Sequence, residues 1–269
     1  MSEPFPVAGR APRLAVLIDA DNVPARHATA ILDEIASFGE PSVRRVYGDW
    51  SSQALGHWKD QARDLGLVMH QQSANTKGKN ASDIGLVIDA MDILHAGKVD
   101  GFVLVSSDSD FTRLASRIRE DGLQVIGIGE AKTPESLRKV CNRFVLIENI
   151  ISGSDAAPEP KASKPVEVPT FTQPAKEVTQ SRPDKPIETL VVKKPAVEAI
   201  PLLLDAMKKI DADQDWYSLG QLGQFLTQLY PDFDSRSYGS PKLSDLLRKI
   251  TRFEVKPGPN NHLQVRDKA

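Results

Sequence analysis

Through the first half of the chain, short apolar runs alternate with amphipathic stretches, and few folds accommodate that pattern. LAVLI at 14–18, FVLV at 102–105 and VIGI at 125–128 have the length and continuity of strands buried on both faces. VRRVY at 43–47, LVM at 67–69 and FVLI at 144–147 are further strand-like runs. The stretches between them read as helices. Within 24–38, Pro24 suits a first helical turn and Ile31, Leu32 and Ile35 recur at helical spacing. Within 82–96, Ile84, Val87, Ile88, Met91 and Leu94 follow an i, i+3, i+4, i+7 stripe, with Ser82 placed to cap the start and Gly97 to end it. Helix-like stretches near 55–65, 111–120 and 135–140 complete the alternation. Parallel strands need long crossovers, usually helical, so this order predicts an α/β fold: a mostly parallel sheet with helices on both faces. Ligands bind such sheets at the carboxyl ends of the strands.

The composition then changes. Residues 152–195 read SGSDAAPEPKASKPVEVPTFTQPAKEVTQSRPDKPIETLVVKKP, with proline every few positions and almost no aromatics. Such a segment buries too little apolar surface to offset its ordering entropy, and it is expected to be a disordered linker. It separates a first domain at 11–151 from a second at 196–267. In the second, helical stretches at 200–210, 218–229 and 240–250 precede two short strand-like runs, 253–255 and 262–265, joined by a Pro, Gly and Asn turn. Ser218 is placed to cap the middle helix. Three helices and a terminal hairpin make a small α+β winged helix.

Bulk properties narrow the function classes. A formal net charge of −2 gives no global argument for nucleic-acid binding, so basic patches must be sought locally. The single cysteine, Cys141, excludes an internal disulfide framework. No apolar run approaches the ~20 residues that span a bilayer, and residues 1–12 lack a signal-peptide core. A soluble, cytoplasmic protein without a membrane partner is expected. His57, His70 and His95 show no metal-ligand spacing with one another or with Cys141, and Trp50 and Trp58 are expected to pack rather than stack on bases.

Acidic residues end two of the strand-like runs. IDADN places Asp19 and Asp21 after 14–18, and SSDSD places Asp108 and Asp110 after 102–105. Asp after a strand often caps a turn, but on two strands of one sheet these side chains approach a common crevice. Asp83 adds a third acidic element at the start of the 82–96 helix, directly after the loop bearing Lys77 and Lys79. Carboxylates from three elements can hold one or two hard divalent cations. Asp89, six residues on, points elsewhere on the helix and is expected at the surface.

The first domain resembles a NYN domain of the LabA-like group, with a PIN-like nuclease fold. The resemblance rests on IDADN at 18–22, YGDW at 47–50, KGKNASDIGLVIDAM around Asp83, and VSSDSDF at 105–111. It implies that Asp19, Asp83, Asp108 and Asp110 bind Mg2+ or Mn2+ and cleave RNA phosphodiesters, with Asn22 as the polar partner of Asp19. DWYSLGQLGQFL, YPDFDSRSYGSPKLSDLL and FEVKP resemble an OST-HTH, or LOTUS, domain, which implies RNA binding and protein contacts.

The residue types suit that chemistry. Clustered carboxylates with a cation can activate water and neutralise an attacked phosphate, and the Asn22 amide can orient Asp19. Lys77 and Lys79 are candidates for phosphate contact, as are Arg113 and Arg117, four apart on one helix face. In the second domain Lys242, Arg248, Lys249 and Arg252 form a local basic surface for RNA. The expected function is a Mg2+- or Mn2+-dependent ribonuclease, an endonuclease, tethered to a winged helix that recruits RNA or a protein partner. Two alternatives stand beside it. One is a noncatalytic RNA-binding adaptor that keeps the fold. The other is a phosphatase of the haloacid dehalogenase type, with Asp19 as nucleophile and Asp21 as acid.

Overall fold

The computed structural model describes residues 10–71, 81–154, 193–211, 214–258 and 262–268, with the backbone alone for 81–83 and 153–154. The expected linker thus falls largely outside the described residues, as do Lys77, Lys79 and the side chain of Asp83.

The first domain runs β1 (Arg13–Asp19), α1 (Ala28–Ala36), β2 (Glu40–Gly48), α2 (Gly56–Leu65), β3 (Val68–Gln71), α3 (Ala81–Ala96), β4 (Gly101–Val105), α4 (Thr112–Glu120), β5 (Gln124–Gly129), α5 (Glu135–Val140), β6 (Arg143–Leu146) and α6 (Ile147–Ser154). The strands form one sheet in the order β3-β2-β1-β4-β5-β6, and every pairing is parallel. Side chains alternate across it. Leu14, Val16 and Ile18 face α1, α2 and α6, while Ala15 and Leu17 face α3, α4 and α5. Full burial of each large aliphatic side chain contributes roughly 1.5–3 kcal/mol, so a strand apolar on both faces is fixed in the middle of the sheet.

The strand order decides where a site can form. Chain progression reverses between neighbours β1 and β4. The connection from β1 leads to α1 on one face, and the connection from β4 leads to α4 on the other. Two loops that leave in opposite directions open a crevice at the carboxyl ends of these strands.

Helix α3 ends at Gly97, whose φ of +61° is left-handed as a glycine terminator requires. Its buried stripe differs from the expected one. Leu86, Ala90, Ile93 and Leu94 face the sheet, whereas Ile84 and Ile88 are exposed. Nor is Asp89 a free surface residue, because its carboxylate accepts hydrogen bonds from the Arg45 guanidinium and the Tyr47 hydroxyl. Burial raises its pKa, but those two hydrogen bonds and the Arg45 charge outweigh burial and hold it below the ordinary value. Trp58 is buried, as expected, with its indole N–H donating to the Val23 carbonyl at 2.9 Å. Cys141 is buried too, and burial pushes its thiol up to about 12.

The second domain contains α7 (Ile200–Ile210), β7 (Tyr217–Ser218), α8 (Leu219–Leu229), α9 (Leu243–Lys249), β8 (Phe253–Pro257) and β9 (Leu263–Asp267). The β8–β9 hairpin is the wing, and the short strand β7 extends it antiparallel. Ser218 occupies the cap position of α8 but makes no side-chain cap bond there; its backbone is paired in β7 instead. Leu203, Met207, Leu222, Leu226, Leu246, Leu247, Phe253 and Val265 form the core.

The winged helix docks on the edge of the larger sheet. The Phe144 N–H of edge strand β6 donates to the Pro231 carbonyl at 2.8 Å, which satisfies a group an exposed edge leaves open. Arg236 forks onto both oxygens of Glu34 on α1 at 3.0 and 2.7 Å while also pairing with Asp234. Arg138 pairs with Asp232 at 3.0 Å, and the Asn149 amide donates to the Ser237 hydroxyl at 2.8 Å.

Candidate active site

Asp19 is the last residue of β1 and only 2% exposed. Oδ1 accepts from the Asp21 backbone N–H at 3.1 Å, and Oδ2 accepts from the Asn22 amide at 2.5 Å and the Ser106 hydroxyl at 3.0 Å. All three donors are neutral, and no cation pairs with this carboxylate among the described residues. Desolvation raises its pKa, and the Asn22 and Ser106 hydrogen bonds oppose that rise. A buried carboxylate left with uncompensated charge is a favourable seat for a cation.

Ser106 joins the two strand ends. Its hydroxyl donates to Asp19 and accepts from the Asp108 backbone N–H at 3.1 Å. Asp108, half-buried, in turn caps the 3-10 turn at Ser109–Phe111 by accepting from the Asp110 N–H at 2.9 Å. Asp110 is exposed in the first turn of that segment. The structure therefore brings Asp19, Asn22 and the Asp108–Asp110 turn to one crevice. Among the described residues, no three His, Cys, Asp or Glu side chains stand close enough to hold a metal ion. The donors present, the carboxylates of Asp19 and Asp108, are hard oxygens of the kind Mg2+ and Mn2+ prefer.

Other acids line the same rim. Asp21, past the end of β1, has its pKa raised by desolvation and then by the charge of Asp49, which follows β2. Asp49 accepts from Ser51 and from the Gln71 amide at the end of β3. Beyond β5, the Glu130 backbone N–H donates to the Ser107 hydroxyl at 2.9 Å. Ser106, Asp49 and Glu130 are site residues that the strand-end acid pattern does not single out. The signals were present: a serine two residues before Asp108, an acid inside YGDW, and an acid after VIGIG.

The basic candidates divide by position. Arg113 is exposed, one turn past Asp110 and near the crevice. Arg117, a turn further away, pairs with Asp121. On the winged helix, Lys242 is exposed at the start of α9 and Arg248 is exposed with Asp245 at 3.6 Å. Lys249 donates to the Gly239 carbonyl, and Arg252 binds both oxygens of Asp267 at 2.7 Å. The wing adds another cluster, in which Lys256 and Arg266 lie 3.6 and 4.8 Å from the ring centre of half-buried Trp216. No helix among the described residues is long and apolar enough to cross a membrane.

Comparison with known proteins gives two family matches in chain order. Residues 13–148, half of the chain, match the NYN domain, and residues 181–265 match the OST-HTH/LOTUS domain. Among curated proteins none matches the chain. Among solved structures, a Vibrio parahaemolyticus protein of unknown function, VPA0982, is 21% identical, with 52% of this chain and 96% of that one covered and a TM-score of 0.46. An uncharacterized Nitrosomonas europaea protein from locus NE0665 is 32% identical over 35% of this chain and 93% of its own, at a TM-score of 0.25. Acinetobacter baumannii MurG is 13% identical over 50% and 40%, at a TM-score of 0.34.

Proposed function

Because the chain belongs to the NYN domain family and carries an OST-HTH/LOTUS domain behind it, we propose that it is a Mg2+- or Mn2+-dependent ribonuclease acting in the cytoplasm. The observation that carries the reading is the buried Asp19 carboxylate, paired with no cation among the described residues and tied through Ser106 to the Asp108 loop.

Asp19, Asp108, Asp110 and Asp83 would hold the metal. When bound, a divalent cation supplies charge neutralisation at the attacked phosphate and a water of lowered pKa. The chain's own residues supply the positioning. Asn22 and Ser106 hold Oδ2 of Asp19 and the Asp21 N–H holds Oδ1, so both oxygens stay directed. Asp108 closes the turn of its own loop by accepting from the Asp110 N–H. Arg113 and the loop bearing Lys77 and Lys79 would meet backbone phosphates beside the crevice. Each turnover adds the water oxygen to phosphorus and releases the ribose oxygen with a proton.

The second domain supplies retention. Lys242 before α9 and Arg248 on it, with Lys249 at its end and Arg252 beyond, would hold RNA or a protein partner. A domain on the same chain raises the concentration of bound RNA around the crevice without new contacts at the reacting phosphate.

The test uses the purified full chain with single-stranded RNA. We expect endonucleolytic cleavage in Mn2+ or Mg2+, none in EDTA, and a loss of about a thousandfold in Asp19→Asn and Asp108→Asn, the several kcal/mol that metal-assisted hydrolysis commands. Both variants should retain RNA binding. Tight binding without cleavage by the wild-type chain in either ion would make the protein an RNA-binding adaptor.

A further inference from the structure

A cavity of about 790 Å³ opens beside the crevice, between the loop after β1 and the first turns of α2. Its floor is apolar, formed by buried Val23, Ala25, Leu55 and Trp58. Its rim is polar, with the carboxylates of Asp21, Asp60 and Glu130, the guanidinium of Arg26, the imidazole of His57 and the amide of Gln61. Asn22 belongs to both places, because it lines the cavity and its amide donates to Asp19. Whatever fills the cavity is therefore one side chain away from the buried carboxylate.

We propose that this cavity seats the nucleobase of the nucleotide next to the scissile phosphate, and that it favours bases carrying an exocyclic amino group. The proposal rests on the ribonuclease reading for its substrate. The apolar floor decides which part of a nucleotide enters, because it would desolvate a phosphate without compensation, while the rim carboxylates of Asp21, Asp60 and Glu130 accept hydrogen bonds from amino groups. The floor offers apolar and aromatic surface to the faces of a flat ring. The volume lies within the range of small-molecule sites. Adenine, cytosine and guanine present the required amino donor, and uracil does not. Asp60 and Glu130 also pair with Arg63 and Lys132, so Asp21 and Gln61 are the acceptors best placed to read the base.

Two measurements on the full chain test this. In the first, adenosine, cytidine and uridine are titrated without metal while the indole N–H resonance of Trp58 is followed by NMR. A saturable shift is expected with adenosine or cytidine, smaller with uridine, and abolished by Ala54→Leu, which adds bulk at an exposed position on the rim. In the second, cleavage sites are mapped on random-sequence RNA. The wild type should disfavour uracil on one side of the cut by roughly tenfold or more, and Ala54→Leu should erase that preference. A Trp58 resonance indifferent to every nucleoside, or a preference unchanged by Ala54→Leu, overturns the proposal. The two readings fail separately. A chain that binds adenosine at Trp58 and cuts nothing loses the ribonuclease reading alone, and one that cuts RNA while ignoring nucleosides loses the base seat alone.

Discussion

Asp19 and Asp89 are carboxylates packed at the same sheet, and opposite surroundings set their protonation. Asp89 gains more from Arg45 and Tyr47 than it loses by burial, so its folded pKa lies below its ordinary 3.8. A depressed carboxylate contributes stability that is fully present above the unfolded pKa and is lost as pH falls through the folded value. Asp89→Asn should therefore destabilise the fold by about 1.5–3 kcal/mol at neutral pH, the range for a hydrogen bond to a charged group. The gap to wild type should close as pH drops below 3.8, and chemical denaturation at several pH values measures it. Asp19 has the reverse sign: its raised folded pKa means that stability declines as pH climbs from the ordinary aspartate range through the folded value. The pair connects to the site through Tyr47, which Asp89 holds and which lies opposite Asp19 in the β1–β2 register. Of these residues, Asp19 and Asp108 were readable in sequence because each ends or follows an uninterrupted apolar strand. Asp89 was not, because its partners Arg45 and Tyr47 lie on β2, more than forty residues earlier in the chain.

Among the elements, β5 and α3 show how far pattern reading reaches. Strands β1, β4 and β5 were legible because burial on both faces demands apolar residues without interruption, whereas β2, β3 and β6 carry only short or interrupted apolar runs. Helix α3 was legible as a helix but not in its orientation. It carries apolar residues on nearly every side, so spacing alone could not choose Leu86, Ala90, Ile93 and Leu94 over Ile84 and Ile88. On β5 the informative residue is the one without a side chain. A Cβ at Gly129 would lie 2.7 Å from both the Ser106 carbonyl oxygen and the Thr133 hydroxyl. The carbonyl belongs to the backbone of the residue that bridges Asp19 and Asp108, and the Ser106 N–H is itself held by Ile128. Gly129→Ala should thus destabilise by about 1–3 kcal/mol, as overpacking does, and should lower RNA cleavage by displacing Ser106. Thermal unfolding and cleavage rates on the same sample check both effects; a variant with wild-type stability and rate would show that the strand ends yield without cost.

On the scale of the whole molecule, the docking of the winged helix determines how RNA held by one domain meets the other. The interdomain hydrogen bonds among the described residues use Glu34, Arg138, Phe144 and Asn149, none of which lines the β1–β4 crevice. The second domain therefore covers the β6 edge while the acidic rim stays open to substrate. The Arg236 fork is the strongest of these contacts, being bidentate and partly buried, with side-chain exposures of 24% for Arg236 and 17% for Glu34. Removing the cation is worse than removing one anion, because Arg236→Ala leaves Glu34 and Asp234 facing each other without compensation. Glu34→Ala removes only the interdomain arm and leaves the Arg236–Asp234 pair intact. Truncating one partner of a buried hydrogen-bonded charge pair costs about 2–5 kcal/mol, and this partly exposed pair belongs at the low end. The radius of gyration from small-angle scattering should rise from wild type to Glu34→Ala to Arg236→Ala, and cleavage of RNA that needs α9 for retention should fall in the same order. Cleavage of short oligonucleotides that reach the crevice alone should stay constant across the series. Equal radii for all three proteins would assign the docking to the Phe144–Pro231 and Arg138–Asp232 contacts instead.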